Sequence, residues 1–344
     1  METKTDRLAV ITVARGIGIF LVVLAHTCVP EMRRNSTAAF RIFDWVNAVA
    51  MPLYAMLSGY LFERARLKYK QAGFSSFALN KLRSLMVPYV SYSIISYAGI
   101  NLAFLLPTSA SILTAAGYSA VSLPDALWQI LTYEGHIDKH LWFLYALFMV
   151  FLISYLTGNM LLHPLGLLTT LALFVLTVFV RLPVAIDHTL YLLFFFTVSR
   201  NTELIDQLSQ GRYRVPVLLA FVVLYAVRAA GWLTWNPLLN SLLIAFVGCT
   251  GAALLLHVSH LMPETGIGHA LRTLSGYSFI IYLLHQPFLV SGVSGVLLKL
   301  TNLPYIVIGV CTLCLGIALP ILADRFVIRR LWWLRCLLLG DLRK

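Results

Sequence analysis

The sequence predicts an all-α fold, a polytopic integral membrane helical bundle of about ten transmembrane helices with both termini in the cytoplasm. Hydrophobic residues make up 60% of the 344 residues, and charged residues only 12%. The mean hydropathy is +0.84, which excludes an ordinary soluble domain. Apolar runs of about 20 residues recur along the chain, and each can cross the hydrocarbon of a bilayer. We expect residues 1–344 to form one membrane-embedded domain.

The predicted spans are apolar runs bounded by polar or basic segments. They lie near residues 8–29, 43–62, 85–106, 140–158, 165–181, 188–199, 215–232, 237–257, 276–297 and 305–324. The sixth run is short. The first lacks a small-residue cleavage site, so we expect it to remain as a membrane anchor.

The orientation follows from the basic residues, because lysine and arginine concentrate in cytoplasmic loops. They form three groups, after the second span, after the sixth span and in the C-terminal tail: Arg64, Arg66, Lys68, Lys70, Lys81 and Arg83; Arg200, Arg212 and Arg214; Arg325, Arg329, Arg330, Arg335, Arg343 and Lys344. These groups share one side only if the number of spans is even and both termini are cytoplasmic. The longest loop, 107–139, then lies outside. The net charge of +12 therefore reflects topology, and no soluble basic face for nucleic acid is evident.

The first span carries two basic side chains in an otherwise apolar stretch, Arg15 and His26. Eleven residues of helix place them within roughly 20° of one face and about 16 Å apart along the axis. Ionisable groups in lipid usually face a cavity or a polar partner, which favours a functional site. An arginine near a helix end can also snorkel to lipid phosphates, and a histidine there can simply satisfy a polar contact. The spacing alone leaves both interpretations open.

Five segments together resemble the membrane acyltransferase 3 family. Residues 14–26 look like its opening helix, with an arginine, ten residues and then a histidine. Residues 51–61 resemble the second-helix signature, and residues 81–89 the basic start of the third helix. Residues 140–144 and 282–287 resemble the fourth-helix and late-helix patterns. They occur in order and extend over most of the chain.

The resemblance implies an O-acyltransferase of a cell membrane. Within the family, the sequence around Arg15 is most similar to the sugar O-acetylase branch. It implies acetyl-CoA as the cytoplasmic acyl donor, a surface polysaccharide or its lipid-linked precursor as acceptor, and no metal. The sequence departs from the family at Thr12, where many relatives have an acidic residue. How Arg15 is neutralised therefore stays open.

Acyl transfer from a thioester to a hydroxyl needs a base for the hydroxyl or a nucleophile that holds the acyl group. The imidazole of His26 suits either role near neutral pH. The guanidinium of Arg15, toward the cytoplasm, suits the phosphates of an acyl-CoA. Lys81 and Arg83 precede a span on the same side; positive-inside placement explains them, and they are also candidates for anchoring the donor phosphates.

The remaining candidates are polar or aromatic residues near the predicted membrane surfaces. We expect substrate contacts from Tyr60, Glu134, Asp138, His140, Trp142 and His285, and those within residues 134–142 suit the acceptor sugar. The small residues beside Tyr60 favour close helix packing, which is an alternative reason for that motif. A satisfied core histidine is the alternative for His285. The histidines and carboxylates within residues 134–140 have only their spacing to support a metal site.

Two further groups are expected to have no role in the chemistry. His257 and His260 flank a cytoplasmic loop and are expected at the surface. The five cysteines lie in or beside apolar spans and are expected to be packing residues; Cys311 and Cys314 have a redox-like spacing but no second pair.

Two other classes of function fit an intramembrane arginine and histidine. A transporter or lipid-linked glycan flippase would use them for passage of a substrate, and a non-catalytic assembly subunit would use neither for chemistry. Release of free thiol from acetyl-CoA in the presence of surface glycans distinguishes the enzyme from both.

Overall fold

The computed structural model describes residues 4–341 apart from His136 and Pro263, and no β-strand occurs among these residues. The α-helices in chain order are α1 (Lys4–Thr27), α2 (Pro30–Asn35), α3 (Thr37–Ala72), α4 (Phe74–Lys81), α5 (Val87–Ala103), α6 (Pro107–Ala115), α7 (Leu123–Thr132), α8 (Trp142–Thr157), α9 (Pro164–Phe179), α10 (Ile186–Arg200), α11 (Thr202–Leu208), α12 (Arg214–Ala229), α13 (Pro237–His260), α14 (Gly266–Gly276), α15 (Ser278–Leu284), α16 (Val293–Leu300), α17 (Tyr305–Phe326) and α18 (Trp332–Leu334).

Wider or tighter helical turns join several of these helices. The π-helical segments are Leu82–Met86, His285–Gly292 and Arg335–Leu339, and the 3₁₀ turns are Lys139–Leu141, Met160–Leu162, Gly211–Tyr213 and Ile328–Arg330.

Six helical segments within the described residues are long and apolar enough to cross a membrane. They are Leu8–Thr27, Thr37–Ala72, Lys139–Thr157, Pro237–His260, Ser278–Leu300 and Tyr305–Arg330. The other four predicted spans coincide with shorter helices, of which α5 is the longest at 17 residues. A helix of that length rises about 25 Å, against a hydrocarbon core of about 30 Å. The chain is therefore an all-helical membrane protein, whereas ten spans and cytoplasmic termini stay predictions.

Two predicted boundaries differ from the observed ones. Helix α3 runs to Ala72, about ten residues beyond the predicted span, so the basic residues after that span lie on a helix. The predicted loop 107–139 contains α6 and α7. Helix α7 begins where the Ser122 side chain accepts a hydrogen bond from the Asp125 N–H, and it ends at Tyr133 in the left-handed conformation.

The contacts divide the chain into two compact units. The first comprises Met1–Gly18, Ala48–Leu79 and Ala146–Gly276. Its core contains a cluster of rings in which Phe62 packs against Phe77, Phe151 and Phe196. Gly59 lies against the backbone carbonyl of Phe196, where any added Cβ would overlap with that oxygen. This close approach agrees with the predicted packing role of the small residues beside Tyr60.

The sequence predicts Arg200 in the loop after the sixth span, but the structure makes it the last residue of a helix; its predicted cytoplasmic side stays a prediction. It ends α10 and is 1% exposed. Its Nε lies 2.9 Å from Glu63 Oε2, and one terminal nitrogen donates to the Gly158 carbonyl at 2.7 Å. Burial is possible because the carboxylate compensates the charge.

The second unit comprises Ile19–Asn47, Asn80–Tyr145 and Tyr277–Lys344. Helix α17 packs against the π-helical segment His285–Gly292, and α16 packs against α6. One apolar cluster of this unit contains Ile100, Leu113 and Ile137. The predicted span 276–297 is interrupted at Gln286, whose φ of −118° and ψ of 157° are extended, and the following bond to Pro287 is cis.

Candidate functional site

Three histidine rings from distant parts of the sequence meet inside the second unit. The ring of His285 lies between the other two, with its centroid 4.8 Å from that of His26 and 4.9 Å from that of His140. Both contacts are edge-to-face, with interplanar angles of 81° and 75°. This arrangement fixes the ring planes relative to one another.

The protonation pattern of His26 follows from its backbone contact. Its Nδ1 lies 2.8 Å from the carbonyl oxygen of Val22, one turn earlier in α1. A carbonyl only accepts, so Nδ1 carries the proton and the neutral ring presents its lone pair at Nε2. Within the described part of the chain, Nε2 makes no hydrogen bond. The side chain is partly exposed, so His26 offers an accessible base or nucleophile.

His285 is anchored in the same way but lies deeper. Its Nδ1 is 2.7 Å from the Tyr282 carbonyl and 3.1 Å from the Ile281 carbonyl. Its buried Nε2 has no hydrogen-bond partner among the described residues. The prediction of a fully satisfied core histidine is therefore wrong for this nitrogen.

A carboxylate completes the cluster on the side of His140. Asp138 is 0% exposed; its Oδ1 lies 2.6 Å from His140 Nδ1, and its Oδ2 accepts from the Ser96 hydroxyl at 2.6 Å. The second ring nitrogen of His140 is 3.3 Å from the Leu283 carbonyl. Both ring nitrogens of His140 therefore face oxygen acceptors, which fixes the orientation of the ring.

Hydroxyl groups surround this cluster. The Tyr282 hydroxyl donates to the His140 carbonyl at 2.5 Å, and the Tyr92 hydroxyl donates to the Gln286 carbonyl at 2.6 Å. Gln286 Oε1 accepts from Ser291 at 2.7 Å and from Tyr118 at 3.3 Å. Burial raises the pKa of the Tyr118 phenol well above its usual range, so its hydroxyl remains a donor.

Several of these groups are not evident from the sequence. Ser96 and Tyr92 are two of several serines and tyrosines within residues 89–97, and the sequence does not distinguish them from the others. Gln286 has a signal, since a residue before proline is unfavourable in a helix and marks the interruption.

Arg15 lies in the first unit, on α1, eleven residues before His26. Its side chain is exposed, and its backbone carbonyl accepts a hydrogen bond from Tyr54 at 3.0 Å. The Thr12 hydroxyl donates to the Leu8 carbonyl at 2.7 Å, so this hydroxyl is engaged within its own helix.

Lys81 and Arg83 lie in the second unit, at the end of α4 and in the π-helical segment that follows. Arg83 is exposed, and Gly340 packs against its backbone carbonyl. Burial lowers the pKa of the Lys81 ammonium to about 8. Two cationic side chains therefore lie close in sequence, one of them titrating near physiological pH.

Tyr60 belongs to the first unit and makes polar contacts of its own. Its hydroxyl donates to Asp206 Oδ1 at 2.8 Å and accepts from Arg64 at 2.8 Å. Tyr60 and Asp206 border a small, mostly apolar cavity of about 40 Å³ that also contacts Val10 and His260.

The remaining acceptor candidates have different surroundings. Glu134 is exposed at the turn after α7, and His136 lies outside the described residues. Trp142 is partly buried and packs edge-to-face against Phe143 at 5.9 Å. Asp138 and His140 are joined to each other as described above, so their polar atoms point into the cluster.

One histidine prediction is wrong. His257 is 1% exposed rather than at the surface, because α13 continues through His260 and turns the His257 side chain inward. The cysteines are free thiols within the described residues. No group of three or more histidine, cysteine, aspartate or glutamate side chains in the described ranges is arranged to hold a metal ion.

The comparisons with known proteins assign a family. The sequence matches the acyltransferase 3 family, described as an acyltransferase domain, over residues 8–325. The match covers both compact units and includes each member of the histidine cluster. No curated protein and no solved structure matches the chain.

Proposed function

Because the chain belongs to the acyltransferase 3 family and is an O-acyltransferase built from membrane helices, we propose that it transfers an acetyl group from cytoplasmic acetyl-CoA to a surface glycan. The acceptor is a hydroxyl of a cell-surface polysaccharide or of its lipid-linked precursor. The observation that carries this proposal is the Nε2 of His26, an accessible lone pair whose ring is fixed by the Val22 carbonyl.

His26 acts in the reaction as the base. Its Nε2 removes the proton from the acceptor hydroxyl while that oxygen attacks the thioester carbonyl, so that a C–O bond forms and the C–S bond breaks. The proton on His26 then passes to the departing sulfur and yields free CoA. If the same Nε2 attacked the carbonyl itself, the acetyl group would rest on the ring before reaching the sugar oxygen. Both routes require this lone pair.

The neighbouring groups support that role. The His285 ring contacts His26 edge-to-face and holds its plane, which keeps Nε2 aimed in one direction. Asp138 holds the His140 ring, which contacts His285, through the 2.6 Å contact with Nδ1.

The donor phosphates are bound by basic groups in this proposal. Arg15 provides a guanidinium that can hold a phosphate through two parallel hydrogen bonds. Lys81 and Arg83 contribute further positive charge. The helical rise of about 16 Å between Arg15 and His26 along α1 is comparable to the length of an extended pantetheine arm.

The proposed setting is the cell (inner) membrane, crossed about ten times with both termini in the cytoplasm. The donor then approaches from the cytoplasm and the acceptor from outside. Glu134 and Trp142 remain proposed acceptor contacts, and Tyr60 remains a proposed substrate contact. The competing function is a transporter or glycan flippase, in which the same arginine and histidine serve passage.

Replacing His26 by Gln tests catalysis against transport. Glutamine can still donate to the Val22 carbonyl, but it has no basic lone pair at this position. We expect normal amounts of protein in the membrane and of surface glycan, while the acetyl-ester content of that glycan and thiol release from acetyl-CoA are lost. His269→Gln, an exposed histidine of α14, is the matched control and should match wild type.

Two other results for the His26→Gln variant would contradict the catalytic role of His26 or favour a flippase. Full acetylation by the His26→Gln variant would remove His26 from the mechanism. Loss of the glycan itself from the surface would indicate a flippase, because a defective flippase leaves the polymer on the wrong side of the membrane.

A further inference from the structure

A cavity of about 320 Å³ with both polar and apolar lining lies in the second unit, apart from the contacts that fix the histidine rings. Its volume is in the range of small-ligand pockets. It is bordered by the chain just after α1, by the end of α6 and by α16, and its polar lining consists of Glu31, Ser111, Ser291, Ser294 and Lys299.

The three serine hydroxyls already donate their protons. Ser111 donates to the Thr108 carbonyl at 2.8 Å, and Ser294 to the Val290 carbonyl at 2.7 Å. Ser291 donates to Gln286 Oε1 at 2.7 Å. A hydroxyl that has donated its proton keeps its lone pairs, so these oxygens can only accept hydrogen bonds from a ligand.

The charged residues of the lining also favour a ligand that donates hydrogen bonds. Glu31 adds a carboxylate, which also accepts, and Lys299 is the cationic side chain of the cavity lining. Its ammonium donates to Ser111 at 2.5 Å. An anion would meet a carboxylate and three hydroxyl lone pairs, whereas a neutral polyol supplies O–H donors to a lining in which acceptors outnumber the one ammonium donor of Lys299.

Two short connections link the cavity to His26. Val29 borders the cavity three residues after His26, so their Cα atoms are at most about 11 Å apart. On another wall, Ser291 bonds to Gln286, which directly follows His285, and the His285 ring lies 4.8 Å from that of His26.

We propose that this cavity binds the neutral sugar unit of the acceptor and presents one of its hydroxyls toward His26. The inference rests on the proposed function, because it assigns the acceptor site of that same reaction. A sugar ring displays several O–H donors, and the serine oxygens with Glu31 accept them, while the Lys299 ammonium donates to a ring or hydroxyl oxygen.

Two variants test the assignment in membranes, with acetyl-CoA as donor and surface glycan, deacetylated by mild alkali, as acceptor. Ala115→Leu places a larger side chain on the cavity wall, and Ser294→Ala removes one acceptor from a buried position. We expect the glycan KM to rise at least fivefold for Ala115→Leu, and about threefold to tenfold for Ser294→Ala, as expected for one lost hydrogen bond. The KM for acetyl-CoA should stay within twofold of wild type.

Each variant has a matched control outside this cavity. Ala110→Leu makes the same change on α6, and Ser241→Ala removes a buried hydroxyl that donates to the carbonyl four residues earlier, as Ser294 does. Unchanged glycan KM in both cavity variants, or equal increases in the KM of donor and glycan, would overturn the assignment. Absence of glycan acetylation by wild-type protein would instead contradict the proposed function, so the two failures are distinguishable.

Discussion

The buried pair of Asp138 and His140 allows a quantitative test of the histidine cluster. Asp138→Asn keeps the volume of the side chain but removes its charge. Asp138 is 0% exposed and lies 2.6 Å from His140 Nδ1, so water cannot replace the lost interaction. Breaking one partner of a buried ion pair typically costs about 3–5 kcal/mol. The amide can still bond to Ser96, so we expect the lower end, about 3 kcal/mol.

This loss should appear as a lower melting temperature of the detergent-solubilised protein. One kcal/mol shifts the melting temperature by about 2–4 °C for a cooperative unit of 150–250 residues, so we expect a decrease of about 6–12 °C. Fluorescence-detected size-exclusion chromatography after stepwise heating measures it. Asp187→Asn, at an exposed aspartate–histidine contact of 2.8 Å, is the control and should shift the melting temperature by less than about 2 °C.

A double-mutant cycle then separates the pair from other effects. In a His140→Gln background, Asp138→Asn should cost at least about 2 kcal/mol less than in the wild-type background, because its partner is already absent. Equal costs in both backgrounds would refute the argument that the carboxylate acts through His140.

Three further outcomes are expected. Arg15→Ala should lower activity strongly at normal protein abundance, and Arg15→Lys less so, because lysine keeps the charge but loses the planar fork; equal activity of Ala and wild type would exclude Arg15. With a pKa of about 8, Lys81 is about 90% protonated at pH 7 and about 10% at pH 9. The KM for acetyl-CoA should therefore rise between these pH values, and Lys81→Arg should abolish the rise; an identical pH profile in both proteins would contradict a donor role. In a cysteine-free background, impermeant maleimide added outside should label Ala120→Cys but neither Lys70→Cys nor Gln207→Cys in intact cells; labelling of Lys70→Cys would overturn the topology.

The helices could be predicted from the sequence more reliably than their ends. Hydropathy locates each apolar run, but it falls at Arg64 while the helix continues to Ala72. The residues in between include arginine, alanine, leucine, lysine and glutamine, which favour helix in any environment. A hydropathy boundary marks the polar side of the membrane and does not require the backbone to change conformation.

The site could be predicted as separate residues but not as a cluster. His26, His140 and His285 each stand out as a polar group at an apolar segment, yet 114 and 145 residues separate their positions. The packing of α1, α8 and the segment after α15 decides whether their rings meet, and no local pattern encodes that packing. Ser96 could not be predicted as part of the cluster either, because its role depends on the hydrogen bond that its hydroxyl donates to Asp138.

The interruption at Gln286 has a consequence for how the chain tolerates changes in length. Upstream of it, Ser278–Leu284 is regular helix, in which each residue turns the side-chain direction by about 100°. One inserted or deleted residue there would rotate the His285 imidazole away from His26. Downstream, the extended backbone at Gln286 separates the following segment from that rotation. Natural variation in the length of Ser278–Leu284 is therefore not expected.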